Sequence, residues 1–153
     1  MGADNQQERL DSWIAGFVDG EGCFHVAINR QPKMTLGWQV LPEFRVVQHK
    51  KDTQTLRMIQ KRVGCGIITV NHDDRNELRV RGINNLMKIV GFFRINKLKT
   101  SKLNNFKKFA TVIKMMKEGK HLKRTGLKEI ANIAATMNKK IKSKYLESSE
   151  TIR

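Results

Sequence analysis

Two carboxylates separated by one glycine, Asp19-Gly20-Glu21, with another glycine at 22, are the residues of this chain best suited by type and spacing to chemistry. They close an apolar helical pattern. On a helix of about 3.6 residues per turn, Leu10, Trp13, Ile14, Phe17 and Val18 fall on one side, and Ser12, Ala15, Gly16 and Asp19 on the other. The large apolar side suits a core, whereas the small-residue side lets a second helix backbone come close. Carboxylates at a helix C-terminus oppose the macrodipole by a few tenths to about 1 kcal/mol, and a bound divalent cation removes that conflict. Such a cation suits phosphodiester hydrolysis, where it activates water and stabilises the leaving oxygen. Magnesium keeps several waters and needs only one or two carboxylates besides the substrate's phosphate oxygens.

The elements that must position this pair follow from periodicity. The signature helix spans about 9–19, after a polar, loose residues 1–8, and the glycines at 20 and 22 end it. From Cys23 to Asn29 the period is two, with Phe24, Val26 and Ile28 on one face and His25, Ala27 and Asn29 on the other. A polar turn over 30–35 leads to a second strand over 36–47, where Trp38, Val40, Phe44 and Val46 point inward and Pro42 suits an edge or a bulge. Asp52 or Thr53 can cap a helix with Leu56, Ile59 and Val63 inward, closed by Gly64. A second hairpin pairs 67–71 with 77–81 around the turn 73–76, placing Ile68, Val70, Leu78 and Val80 inward. Leu86, Ile89, Val90 and Phe93 mark a further helix, and a basic connector over 94–99 follows. Thr100 or Ser101 then caps a long helix with Leu103, Phe106, Phe109, Ala110, Ile113 and Met116 buried, which Gly119 ends. The last helix is expected over 127–141.

The expected fold is α+β: a four-stranded antiparallel sheet with helices packed on one face and extra C-terminal helices. The other sheet face carries His25, Asn29, Gln31, Gln39, Arg45, Thr69, Asn71, Glu77, Arg79 and Arg81, donors and acceptors that can read base edges while cations grip phosphate.

Charge supports that face. The chain holds 30 Lys+Arg against 14 Asp+Glu, a net +16, which points to a polyanionic partner. Yet residues 1–24 balance to −4, so the acids gather at the signature. From Arg94 onward the surplus is +13, a broad basic surface. Cys23 and Cys65 and four scattered histidines make no zinc cluster, and they fit a reduced intracellular compartment. No apolar stretch approaches the roughly 20 residues of a membrane span, so no membrane partner is expected. A nuclease that places lysine two residues after its second acid is disfavoured, since Glu77 is followed there by Arg79.

The stretch Trp13-Ile-Ala-Gly-Phe-Val-Asp-Gly-Glu-Gly22 resembles the signature of the LAGLIDADG homing endonucleases, and the resemblance covers roughly residues 9–110. It implies the αββαββα fold with a saddle-shaped sheet, here as one domain over 1–153, with a core at about 9–117 and a helical extension at about 120–146. Because the signature occurs once, the resemblance implies a homodimer packed through Ser12, Ala15, Gly16 and Asp19. It would straddle a long, nearly palindromic double-stranded DNA site and cut both strands across the minor groove, leaving 3′ overhangs and promoting intron homing. Carried over by position, Glu21 is the metal-binding acid, the Gly20 carbonyl its neighbouring ligand, and Asp19 a residue that fixes the helix ends. Gln48, after Val-Val, resembles the glutamine that holds metal-bound water, and Lys99 the lysine near the scissile phosphate. A further basic role falls to Lys50 or Lys51. The implied cofactor is Mg2+, with Mn2+ or Ca2+ able to substitute for binding. An organelle, chloroplast or mitochondrion, or a prokaryotic cytoplasm is the expected setting. The alternative is an RNA maturase or a non-cleaving nucleic-acid-binding protein of the same fold, with intron RNA as partner.

Overall fold

In the computed structural model, which describes residues 2–138 and 144–148, the elements run α1 (Ala3–Glu21), β1 (Gly22–Arg30), β2 (Trp38–His49), α2 (Thr53–Val63), β3 (Ile67–His72), β4 (Arg75–Val80), α3 (Ile83–Ile95), α4 (Lys102–Lys117), α5 (Arg124–Ala135) and α6 (Lys144–Glu147). Short 3-10 turns at Lys50–Asp52 and Lys120–Leu122 precede α2 and α5. The strands form one sheet in the order β1-β2-β4-β3, and β4 is antiparallel to both β2 and β3. The helix, hairpin, helix, hairpin, helix order is therefore the one its periodicity predicts.

The chain divides into two compact units, one from residues 2–23 and 44–103, the other from 24–43 and the described part of 104–153. In the first, Ile14, Val18, Phe44, Val46, Leu56, Ile59, Leu78, Val80, Leu86 and Ile89 are fully buried. Phe44 on β2 meets Phe93 on α3 with ring centroids 5.8 Å apart. An ion pair crosses from α1 to α2: the Arg62 guanidinium donates to both oxygens of Asp11, at 2.6 and 2.9 Å, and lies 5.6 Å from the Phe92 ring. This two-pronged bond fixes the rotation of α1, and with it the direction in which the acidic end points.

In the second unit Phe24 on β1 packs against Phe106 and Phe109 of α4, at 5.3 Å for each ring pair. Trp38 meets Tyr145 of α6 edge to face at 5.3 Å. Gly126 is needed because a Cβ there would stand 1.9 Å from the Lys120 carbonyl oxygen, so the two backbones touch.

Several expectations need correction. Residues 3–8 are helical rather than loose, and α1 runs through Gly20 to Glu21, its end marked by the Gly22 N–H donating to the Val18 carbonyl. Gly22 is extended, with φ −82°, and is required instead by space, since a Cβ would meet Val18 Cγ1 at 2.6 Å. Trp13, placed in the core by periodicity, is 47% exposed, while the polar Asp11 is buried. The core face of α1 is thus rotated toward Asp11, Ile14, Ala15 and Val18, because Arg62 gives Asp11 a partner inside. Val70 has the inward parity but is 71% exposed, standing toward the hairpin tip of the edge strand, where pairing shifts between Val70 and His72. The hairpin tip is Asp73–Asp74, tighter than expected, with Asp73 at φ 49°. Helix α5 stops at Ala135 with Thr136 as its C-cap, short of the expected 141, and Ile141 lies outside the described residues. On α4, Val112 and Met115 are buried as well as the predicted stripe, whereas Leu103 is only half-buried.

Candidate metal and nucleic-acid site

The end of α1 points its acids in two directions. Asp19 faces the connector before α4, where its carboxylate accepts hydrogen bonds from the Lys99 N–H at 2.7 Å, the Thr100 N–H at 3.1 Å and the Thr100 hydroxyl at 2.5 Å. The same hydroxyl accepts the Lys102 N–H at 3.2 Å and so caps α4, as predicted for Thr100. Partial burial alone would raise the Asp19 pKa. The hydrogen bonds from the Thr100 hydroxyl and the Lys99 and Thr100 amides, with the charge of Lys102, outweigh it and hold the carboxyl below its ordinary range. The Lys102 ammonium donates to the Gly22 carbonyl, tying α4 to the start of β1.

Glu21 is the opposite case. It is exposed on the last turn, and its one described contact is a long one, 3.5 Å from the Gln48 side-chain nitrogen to its Oε2. That nitrogen is anchored on the Val47 carbonyl at 2.9 Å, which leaves the amide carbonyl of Gln48 as an acceptor for water. The Gly20 carbonyl lies among the last four of the helix, which have no partner within it. Glu21, the Gly20 carbonyl and Gln48 together offer only oxygen donors of the kind hard divalent cations prefer, so this set fits one. Among the described residues no three His, Cys, Asp or Glu side chains cluster as an all-protein cage.

The surrounding cations follow their elements. Lys99 is exposed, its backbone held by Asp19. Lys50 and Lys51 are exposed in the 3-10 turn after β2. That turn is pinned by the Lys50 N–H to the Asp74 carbonyl at 2.7 Å and by His49, which accepts the Lys51 N–H at 3.1 Å and contacts Asp74 Oδ2 at 2.9 Å.

The small-residue face of α1 opens into a groove of about 480 Å³ lined by Ser12, Ala15, Gly16 and Asp19 and, after α3, by Ile95, Asn96, Lys97 and Lys99. Gly16 and Gly20 are exposed, and a Cβ at either would meet nothing within 4 Å. Nothing described in this chain requires glycine there on grounds of space. Ala15 is only 7% exposed, and it lines this groove together with Ser12, Gly16 and Asp19. Beside the groove Trp13 is exposed and stacked on Phe17 at 5.1 Å, and Ile95 is 82% exposed at the rim.

The predicted reading residues divide by unit. In the second, Asn29 is exposed and His25, Gln31 and Gln39 are half-buried. In the first, Thr69, Asn71 and Arg81 are exposed, Arg45 and Arg79 are half-buried, and Glu77 is buried. Sequence reasoning named Thr100 only as a cap, and missed both it and Lys102 as partners of the end of α1. The signal for Thr100 was present, since an N-cap threonine ahead of α4 presents N–H donors that an acid can accept.

The profile of the family described as LAGLIDADG endonuclease matches residues 14–113. A probable intron-encoded endonuclease of Neurospora crassa is 32% identical over 88% of this chain and 26% of its own length. The chain spans 26% and 32% of the length of two Neurospora relatives that match 88% and 92% of it. Among solved structures, the homing endonuclease I-TnaI is 48% identical with a TM-score of 0.88, covering 94% of this chain and 97% of that one. I-SmaMI, solved bound to an uncleaved DNA target in the presence of calcium ions, is 28% identical with a TM-score of 0.80, covering 83% of this chain and 44% of that one. The chain belongs to the LAGLIDADG endonuclease family.

Proposed function

We propose that the chain is an intron-encoded, site-specific DNA endonuclease that makes metal-dependent double-strand breaks, with 3′ overhangs, at a long pseudo-palindromic site and so promotes intron homing. The observation that carries this reading is the exposed Glu21 beside Gln48, at the end of a helix whose glycine face stands open. Two copies of α1 packed through Ser12, Ala15, Gly16 and Asp19, the residues that line the open groove, would bring one Glu21 from each protomer to the twofold axis, where opposite strands can be reached. Glu21 and the Gly20 carbonyl would hold the cation, taken as Mg2+, with Mn2+ or Ca2+ substituting for binding. When bound, it supplies activated water and charge stabilisation of the leaving oxygen. Gln48 orients water through its amide carbonyl, and Lys99, carried on the connector that Asp19 holds, places positive charge near the scissile phosphate. Lys50 or Lys51 adds a second cation at the end of β2. The polar residues of both units contact duplex DNA, and a net +16 favours its approach.

No described helix is long and apolar enough to cross a membrane. The intron-encoded relatives favour an organelle as the setting, with a prokaryotic cytoplasm the other candidate.

The test uses purified protein and a plasmid carrying the host gene's intronless insertion site. Linearisation with magnesium, and none with a chelator, is expected, together with two protomers per duplex by analytical ultracentrifugation. Failure to bind any duplex, with tight binding to the intron transcript, would favour the RNA maturase reading; duplex binding without cutting would favour the non-cleaving one.

A further inference from the structure

Glu77 combines burial with charge on a face otherwise built to meet nucleic acid. Residues directly opposite each other in neighbouring strands share a face. Arg45 stands opposite Arg79, and Val47 opposite Glu77, which has Thr69 on its other flank. Glu77 is therefore diagonal to Arg45 on the polar face. Only 6% of it is exposed. Its Oε2 accepts a hydrogen bond from Asn71 Nδ2 at 3.0 Å, and its Oε1 lies 4.0 Å from Arg45 Nε. A carboxylate so covered is poorly placed to accept a hydrogen bond from a cytosine. It holds Asn71 by a hydrogen bond and draws Arg45 by charge, and it offsets the repulsion between the neighbouring Arg45 and Arg79.

That difference matters for selectivity. An arginine distinguishes guanine when its fork is held in the plane of the base edge, whereas a mobile arginine grips any phosphate. We propose that Glu77 is a positioning residue for sequence discrimination: it holds Arg45 and Asn71 as one array, with Arg45 aimed at a guanine edge in the major groove. Without it the same side chains bind DNA with less selectivity. This rests on the reading that the chain binds duplex DNA, and it goes further by separating one buried acid from the residues that touch bases.

The experiment selects bound molecules from a randomised duplex pool, with calcium in place of magnesium, using the full chain and its variants. Wild type is expected to enrich a motif. Glu77→Gln should enrich one whose preference at particular base pairs has fallen about tenfold, while binding to unselected duplex rises and becomes more salt-dependent. Arg45→Met should lose preference at the same pairs, and the double variant should lose no more. A motif unchanged in Glu77→Gln, even with a lowered melting temperature, would overturn the proposal and leave Glu77 a structural acid. So would losses at pairs that Arg45→Met does not affect. Should Glu77→Gln fail to fold by circular dichroism, Arg45→Met and Asn71→Ser carry the test: overlapping losses support one array, and independent losses overturn it. If wild type itself enriches no motif, the duplex-binding reading fails first, and the inference falls with it.

Discussion

Asp19 and Glu21 stand two residues apart on the last turn of α1, a step of about 200° around a helix, so they face different neighbours. Asp19 looks toward the connector before α4 and is filled by two backbone N–H groups and a hydroxyl. Glu21 looks toward the end of β2 and keeps one long contact, to Gln48. Both sit where the α1 dipole disfavours negative charge, and the conflict is resolved differently. For Asp19 the remedy lies within the chain, since the cap of a second helix supplies donors to the acid that ends the first. Glu21 has no comparable remedy among the described residues, which is why it is the better candidate for a cation. Chemical type is nearly the same for the two acids, and only the helical step separates a structural clamp from the acid we propose to hold the cation.

The largest effect should come from replacing Glu21, the acid proposed to hold the cation. Glu21→Gln keeps the shape and removes the charge, so cleavage is expected to fall by orders of magnitude while melting temperature and duplex affinity stay close to wild type. A plasmid-linearisation time course beside a gel-shift titration checks this. Cleavage at the wild-type rate would move the cation site away from Glu21 and undo the contrast with Asp19.

The next effect tests whether one chain suffices. Gly16→Leu adds a side chain where a Cβ meets nothing within 4 Å, and leucine is the better helix former by nearly 1 kcal/mol, so the monomer should remain folded. Cleavage and dimerisation on DNA should nonetheless be lost, because the added bulk occupies the face proposed for the partner helix. Sedimentation of the variant with duplex reads the outcome directly. A dimer of wild-type activity would place the contact surface elsewhere.

Much of this arrangement is legible in the sequence because it rests on local patterns. The period change at Cys23 marks the helix-to-strand junction, and the alternation Trp38, Val40, Phe44, Val46 gives the buried face of β2. The capping threonine marks α4. What sequence does not reveal depends on distant partners. Asp11 goes inside only because Arg62, far along the chain, meets it, and that pairing turns Trp13 outward. Glu77 reads as a surface polar residue by strand parity, and only the adjacent strands that carry Arg45 and Asn71 cover it. The donors on Asp19 likewise lie some eighty positions away.

A smaller effect concerns stability and its dependence on acid. Asp19→Asn keeps one acceptor oxygen but removes the charge and the other, and should lower the unfolding free energy by about 1 kcal/mol at neutral pH, the scale of one hydrogen bond. The folded-state pKa of Asp19 is below its ordinary value of 3.8, so its contribution is complete above that value and disappears as pH falls through the lower folded-state value. Urea midpoints of the two proteins should therefore differ at pH 7 and converge on acidification below about 4. A constant difference across that range would mean the charge on Asp19 is not what holds the connector.

The smallest effect lies at the end of β2 that carries Gln48, where it meets the tip of the β3–β4 hairpin. The tip residue Asp74 meets the His49 ring, and its backbone carbonyl takes the Lys50 N–H. Asp74→Ala removes only the side-chain contact, between groups that are both exposed, so the stability cost should be a few tenths of a kcal/mol. Because the backbone bond from Lys50 remains, the turn that carries Lys50 and Lys51 should keep its place, and cleavage should fall by less than about threefold if either lysine acts as proposed. A large loss of cleavage with unchanged stability would show that the His49–Asp74 contact itself aims those lysines. The second cation would then depend on a side-chain pair at the hairpin tip, whereas Lys99 is held by its backbone through Asp19.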